Sequence, residues 1–202
     1  MTRDWHRFAL GLVGATMAYN AVEGVLALAA GVSAGSVALI GFGLDSYLEL
    51  AAAGALFWRL RLESRGASHE RVERTERRVH RFVGATFVAL AIYVSAQSGW
   101  ILWTHRVPEE SALGIGLAIA SLIAMPLVAW GKLRAADELG SAALRAEAKE
   151  TLACSYLSLT LLAGLVANAA AGWWWADPAA ALLMVPWLVV EGREGLAADG
   201  DD

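Results

Sequence analysis

The chain has 202 residues, 57% of them hydrophobic and 18% charged, with a mean hydropathy of +0.49. A soluble domain has about a quarter of its residues charged, so this composition points to a bilayer as solvent, and a net charge of −4 excludes the basic surplus of a nucleic-acid binder. A single cysteine, Cys154, excludes any intrachain disulfide and leaves packing to hold the fold together.

Six segments approach the roughly 20 apolar residues that cross a hydrocarbon core: 8–31, 36–60, 82–104, 112–133, 147–171 and 176–191. The expected fold is therefore all-α, a polytopic membrane protein forming one six-helix domain across 1–202. The first segment contains Asn20 and Glu23, and it is longer than the roughly 7 to 15 apolar residues of a signal peptide, so it reads as a membrane helix. After the short link "GVSAGS", the second segment carries Asp45 and Glu49. The polar run "RLRLESRGASHERVERTERRVHR" then makes 61–81 a basic loop with alternating charge, expected as a solvated helical extension rather than a second domain. The third and fourth segments have no charge in their cores. Glu147, Lys149, Glu150 and Cys154 fall in the fifth, and "ADP" opens the sixth, where Pro178 suits a first helical turn. Residues 192–202 form a short acidic tail, expected to fray.

Basic residues flank membrane helices on the cytoplasmic side. Six spans place Arg3, Arg7, the arginines of 59–81, Lys132, Arg134, Arg145, Lys149 and Arg193 on one side and only Arg106 on the other. Both termini are therefore expected in the cytoplasm, in a multi-pass protein of the plasma (inner) membrane. The tryptophans agree with aromatic belts: Trp58 and Trp130 fall near inner ends, and Trp100, Trp103 and Trp173 to Trp175 near outer ends.

Residues four apart share a helix face, so Asp45 and Glu49 present their carboxylates side by side. A carboxylate near the centre of a membrane helix costs about 2.5 to 3.5 kcal/mol on insertion scales, and a like-charged neighbour adds to that. Such a pair implies a cation. With no Lys or Arg in the segment cores, Lys149 is the nearest basic candidate, and a Lys149 salt bridge or two neutral acids are the structural alternatives to a metal or proton site. Glu147, Glu150 and Cys154 lie along one stripe of the fifth segment, and Glu150 and Cys154 repeat the four-residue spacing. Facing each other, the two helices offer three carboxylates and one sulfur. Four ligands including a thiolate suit tetrahedral Zn²⁺, whereas Mg²⁺ and Ca²⁺ prefer oxygen alone. The bland reading of Cys154 is a small buried hydrophobe.

Glu147 is expected to pair with a basic residue near the membrane surface. Asn20 and Glu23, three apart, hydrogen-bond a neighbouring helix or, with Ser46 and Glu147, back the ligands. His6, His69, His80 and His105 fall near ends or loops, where His69 and His80 could collect metal. Depth raises a difficulty: at 1.5 Å per residue Asp45 lies about 14 Å from residue 36, and Cys154 about 26 Å from residue 171. The two match only if the fifth helix is tilted or begins beyond the lipid. No nucleotide loop, "HExxH" or catalytic triad occurs, so no enzyme is expected.

The chain resembles the cation diffusion facilitator family. The resemblance rests on six spans, on "GSVALIGFGLDSYLEL" as the second helix with its Asp/His-x-x-x-Asp metal pair, on "AEAKETLACSYLS" as the fifth, and on "WADP" opening the sixth. It implies a transporter of zinc, iron or manganese, a proton-coupled exporter working as a homodimer by alternating access. It also places ligand roles on Asp45, Glu49, Glu150 and Cys154. The family's usual His-x-x-x-Asp pair is Glu150 and Cys154 here, and the C-terminal cytoplasmic domain of most members is not expected, so the chain resembles a minimal, membrane-only variant. The expectation is a divalent-cation transporter, zinc first, with Fe²⁺, Mn²⁺ or Cd²⁺ as other cargo, no prosthetic group, and lipid, protons and a second copy as partners. The alternative is a non-transporting metal-binding sensor or subunit.

Overall fold

A computed structural model describes residues 2–63 and 69–197. Residues 64–68 of the expected loop and 198–202 of the expected tail lie outside this set, as do the side chains of 59–80, His69 and His80 among them. Six helices follow one another: α1 (Thr2–Ala34), α2 (Val37–Glu63), α3 (His69–Thr104), α4 (Ala112–Leu139), α5 (Ala142–Ala171) and α6 (Ala176–Ala197). No strand occurs among the described residues. The protein is an all-α polytopic membrane protein.

The helices overrun the apolar segments because a helix satisfies its own backbone in lipid and in water alike, and so need not stop at the hydrocarbon boundary. Thus α4 passes residue 133, α5 begins five residues before 147, and α6 continues through the first part of the acidic tail. Five helices are long and apolar enough to span: Asp4–Ala34, Val37–Trp58, Arg81–Thr104, Ala112–Leu139 and Ala143–Ala171. The sixth expected span is not among them. Its apolar run is bounded closely by Asp177 at one end and by Glu191 and Arg193 at the other, and α6 lies packed along α3 and α5.

Tight turns set the order of helices in space. Gly140 ends α4 in the left-handed region at φ 61°, and the next residue, Ser141, caps α5 by accepting the Leu144 N–H at 3.3 Å. A stop followed at once by a start folds α4 and α5 into an antiparallel hairpin. Gly35, at φ 65°, does the same between α1 and α2. Small residues then let helices close: a Cβ on Gly43 would meet the Leu28 backbone nitrogen at 2.9 Å, and one on Gly84 would meet the backbone of Gly195 at 2.8 Å. These are the small-residue contacts expected where lipid provides no hydrophobic drive between helices. They join α1 to α2 and α3 to α6. α2 touches α1, α3, α5 and α6, so the side chains on its faces are the ones most enclosed by the bundle.

A candidate ion site between the second and fifth helices

Levels in the bundle follow from the turns. Lys132 lies eight residues before Gly140 and Glu147 seven after it, so the hairpin places both about 11 to 12 Å from its turn at 1.5 Å per residue. They meet there: Lys132 Nζ donates to Glu147 Oε1 at 2.6 Å and to Thr151 Oγ1 at 2.9 Å, with the lysine fully buried. The basic partner expected for Glu147 is thus Lys132, on α4. Lys149, the nearest candidate by sequence, points its side chain into the exposed surface and neutralises nothing in the core. The α1–α2 turn likewise aligns Glu23 with Ser46, whose hydroxyl lies 3.1 Å from Glu23 Oε2. Glu23 therefore makes the expected bond to a neighbouring helix, whereas buried Asn20 has no partner on either side-chain atom.

The depth difficulty resolves in the same way. A Cβ on Gly114 would lie 2.7 Å from Leu39 Cδ2 and 3.0 Å from Leu165 Cδ1, so Leu39 and Leu165 mark one level. Glu49 is ten residues along α2 from that mark and Cys154 eleven residues along α5, about 15 and 17 Å respectively. α5 simply ends farther out than α2 begins, and the residue level with Cys154 is Glu49, not Asp45. Asp45 lies one turn nearer the tryptophan-rich end and Glu150 about one turn nearer the basic end.

Asp45, Glu49, Glu150 and Cys154 line one cavity of about 20 Å³ together with Ala52, Phe87, Trp187 and Glu191. A cavity needs about 10 to 15 Å³ to hold a water, so this one has room for a single occupant of that size. Asp45, Glu49 and Cys154 are all buried. The four are spread along the bundle axis, and among the described residues no three His, Cys, Asp or Glu side chains are gathered closely enough to hold an ion. Glu49 is the most exceptional. Asn20, Thr151 and Cys154 lie in polar contact with its carboxylate, yet no well-aligned hydrogen bond reaches either oxygen. Thr151 cannot supply one, because its single proton goes to the Glu147 carbonyl at 3.0 Å while its oxygen accepts from Lys132. Cys154 Sγ lies 3.9 Å from Ser121 Oγ.

Wider cavities of about 230 and 560 Å³ share Glu150 and Glu191 with the small one and reach Glu194, Arg145 and Lys149. The site thus communicates with the end of the bundle that carries the α4–α5 turn. Sequence reasoning missed Lys132, Thr151, Ser121 and Glu191. Lys132 carried a legible signal, its equal distance with Glu147 from the "GS" turn; Glu191 carried none beyond an acid ending an apolar run.

Residues 15–197 match the family model described as the cation efflux transmembrane domain. An uncharacterized transporter of Synechocystis sp. is 30% identical over 185 residues, covering 90% of this chain and 57% of the relative. The chain spans little more than half the length of that relative.

Proposed function

This chain belongs to the cation efflux family, and from that premise we propose that it transports divalent metal cations, zinc first, with Asp45, Glu49, Glu150 and Cys154 as ligands. The observation that carries the reading is that these four side chains, from two helices, line one small cavity with room for a single small occupant. Glu49 strengthens it: a carboxylate without a well-aligned hydrogen bond deep in a membrane protein is expensive and is explained by a cation that comes and goes. Drawing Asp45 and Glu150 onto the level of Glu49 and Cys154 closes a four-ligand sphere. Three oxygens and a sulfur favour Zn²⁺, with Cd²⁺, Fe²⁺ and Mn²⁺ as lesser cargo.

Cargo arrives past Glu191 and Glu150 from the basic end, which by the positive-inside rule faces the cytoplasm together with both termini. Export across the plasma membrane is the direction this implies. The ligands bind metal only when deprotonated, so loading releases protons and reprotonation from the far side helps release; this is proton antiport. Alternating access in a homodimer completes the proposal. Purified protein in liposomes is expected to move Zn²⁺ with counterflow of protons, and Asp45→Ala to abolish both. Zinc binding without flux would instead favour a sensor or subunit, and full transport by the Asp45 variant would remove the site.

A further inference from the structure

The cavity between α2 and α5 has a second charged group behind it that the ligand set does not use. Lys132 is one ammonium among two buried carboxylates: Glu147, which it holds at 2.6 Å, and Glu49, whose oxygens no well-aligned hydrogen bond reaches. Thr151 stands between them, accepting from Lys132 and flanking Glu49. Of the three ammonium donors, Glu147 Oε1 and Thr151 Oγ1 take two. Glu147 also has a free oxygen, Oε2, so its pairing with Lys132 is through one atom and can shift without being lost. The lysine stem is flexible and rotatable. With cargo bound, the metal neutralises Glu49 and Lys132 belongs to Glu147. Without cargo, a carboxylate that reprotonation leaves ionised, such as Glu49 beside an ammonium, holds a surplus negative charge in a low-dielectric interior, and the empty carrier must bring that charge back across the membrane.

We propose that Lys132 is a built-in counter-ion for the empty site: when cargo leaves, its ammonium turns to be shared between Glu147 and Glu49, and incoming cargo sends it back to Glu147. Lys132 is then a positioning residue that substitutes for the ion on the return step. This rests on the transport reading above and adds to it a requirement about which step is sensitive.

Two transport modes separate the steps. Net uptake of Zn²⁺ into zinc-free proteoliposomes needs the empty carrier to return, whereas exchange of isotopically labelled zinc between equal concentrations inside and out does not. Lys132→Met is expected to lower net uptake roughly tenfold or more while exchange stays within about twofold, since the return step alone then moves an uncompensated charge. Its zinc affinity, measured by calorimetry, is expected to be equal to or tighter than that of the wild type, because the internal competitor is gone. Lys132→Arg keeps the charge and is expected to restore net uptake in part. If Lys132→Met does not yield a monodisperse protein because Glu147 is left unpaired, the double variant Lys132→Met, Glu147→Gln removes the pair together and is read in the same way. Equal loss in both modes, or no loss in either, overturns the counter-ion role. Wild type that moves zinc in neither mode overturns the transport reading and this inference with it, whereas wild type active in both modes confines any failure to Lys132.

Discussion

The Asp177 carboxylate caps a helix that begins 140 residues earlier: its Oδ2 accepts the backbone N–H of Val37 at 2.9 Å. Its other oxygen accepts the Ser36 hydroxyl, and Ser36 Oγ in turn accepts the Leu39 N–H at 3.0 Å. The first residue pair of α6 thereby satisfies donors that α2 leaves open at its start and places a negative charge on its positive end. Asp177→Ala is expected to cost about 1 to 2 kcal/mol. Thermal unfolding in detergent should register it as a lower Tm, with zinc affinity unchanged because Asp177 lies at the far end of α2 from the cavity. An unaltered Tm would mean that water replaces the cap.

The α3–α6 contact is closed by backbone. A Cβ on Gly84 would lie 2.8 Å from Gly195 C and Leu196 N and 2.9 Å from Gly192 O, none of which can swing aside. Gly84→Ala is therefore expected to push the helices apart and cost about 1 to 3 kcal/mol. Gly99, on the same helix, has nothing within 4 Å of its own Cβ position, so Gly99→Ala is expected to be neutral or to stabilise by about 0.5 to 1 kcal/mol through helix propensity. Opposite signs for two identical substitutions on one helix, read by thermal unfolding, test the packing directly.

Cys154 offers a test between soft and hard cargo. If its sulfur binds the ion, Cys154→Ser lowers affinity for Cd²⁺ and Zn²⁺ by roughly 10- to 100-fold and affects Mn²⁺ least. Competition binding on the purified protein measures the order. An unchanged Cd²⁺ to Mn²⁺ ratio would return Cys154 to the role of a small core residue beside Ser121.

Proton competition gives a sign that does not depend on direction of transport. Carboxylates and thiol bind metal as anions, so lowering pH fills them with protons and weakens zinc binding, while raising pH strengthens it. Glu49→Gln removes one competing proton: the variant is expected to bind zinc more weakly at high pH and to show a shallower dependence on pH. Calorimetry in two buffers of different ionisation heat reports the proton count, which should fall in the variant. The same count in both proteins would place the zinc away from Glu49.

Much of the candidate site was legible because the membrane makes polarity rare. Asp45, Glu49, Glu150 and Cys154 stand out in apolar segments whatever their neighbours, and a spacing of four assigns each pair to one helix face. Lys132 escaped notice because it sits one residue from the end of an apolar segment, where a lysine ordinarily reaches out to the interface. Only the tight turn at Gly140 and Ser141, which carries α4 on to Leu139 and back into α5, buries it against Glu147. Lys149, one residue from Glu150, was the obvious partner in sequence but occupies the outward face of α5.

The sequence by itself determined the helices, because unpaired backbone cannot persist in lipid and apolar runs of this length have no other way to satisfy it. It also determined which acids are anomalous. The tertiary structure decided what those acids face: that Glu49 rather than Asp45 is level with Cys154, that Glu147 belongs to Lys132, and that Asp177 closes the start of α2. Level and partnership depend on where each helix begins relative to its neighbours, and that offset is set by turns and close glycine contacts between helices distant in sequence, which no one-dimensional spacing contains.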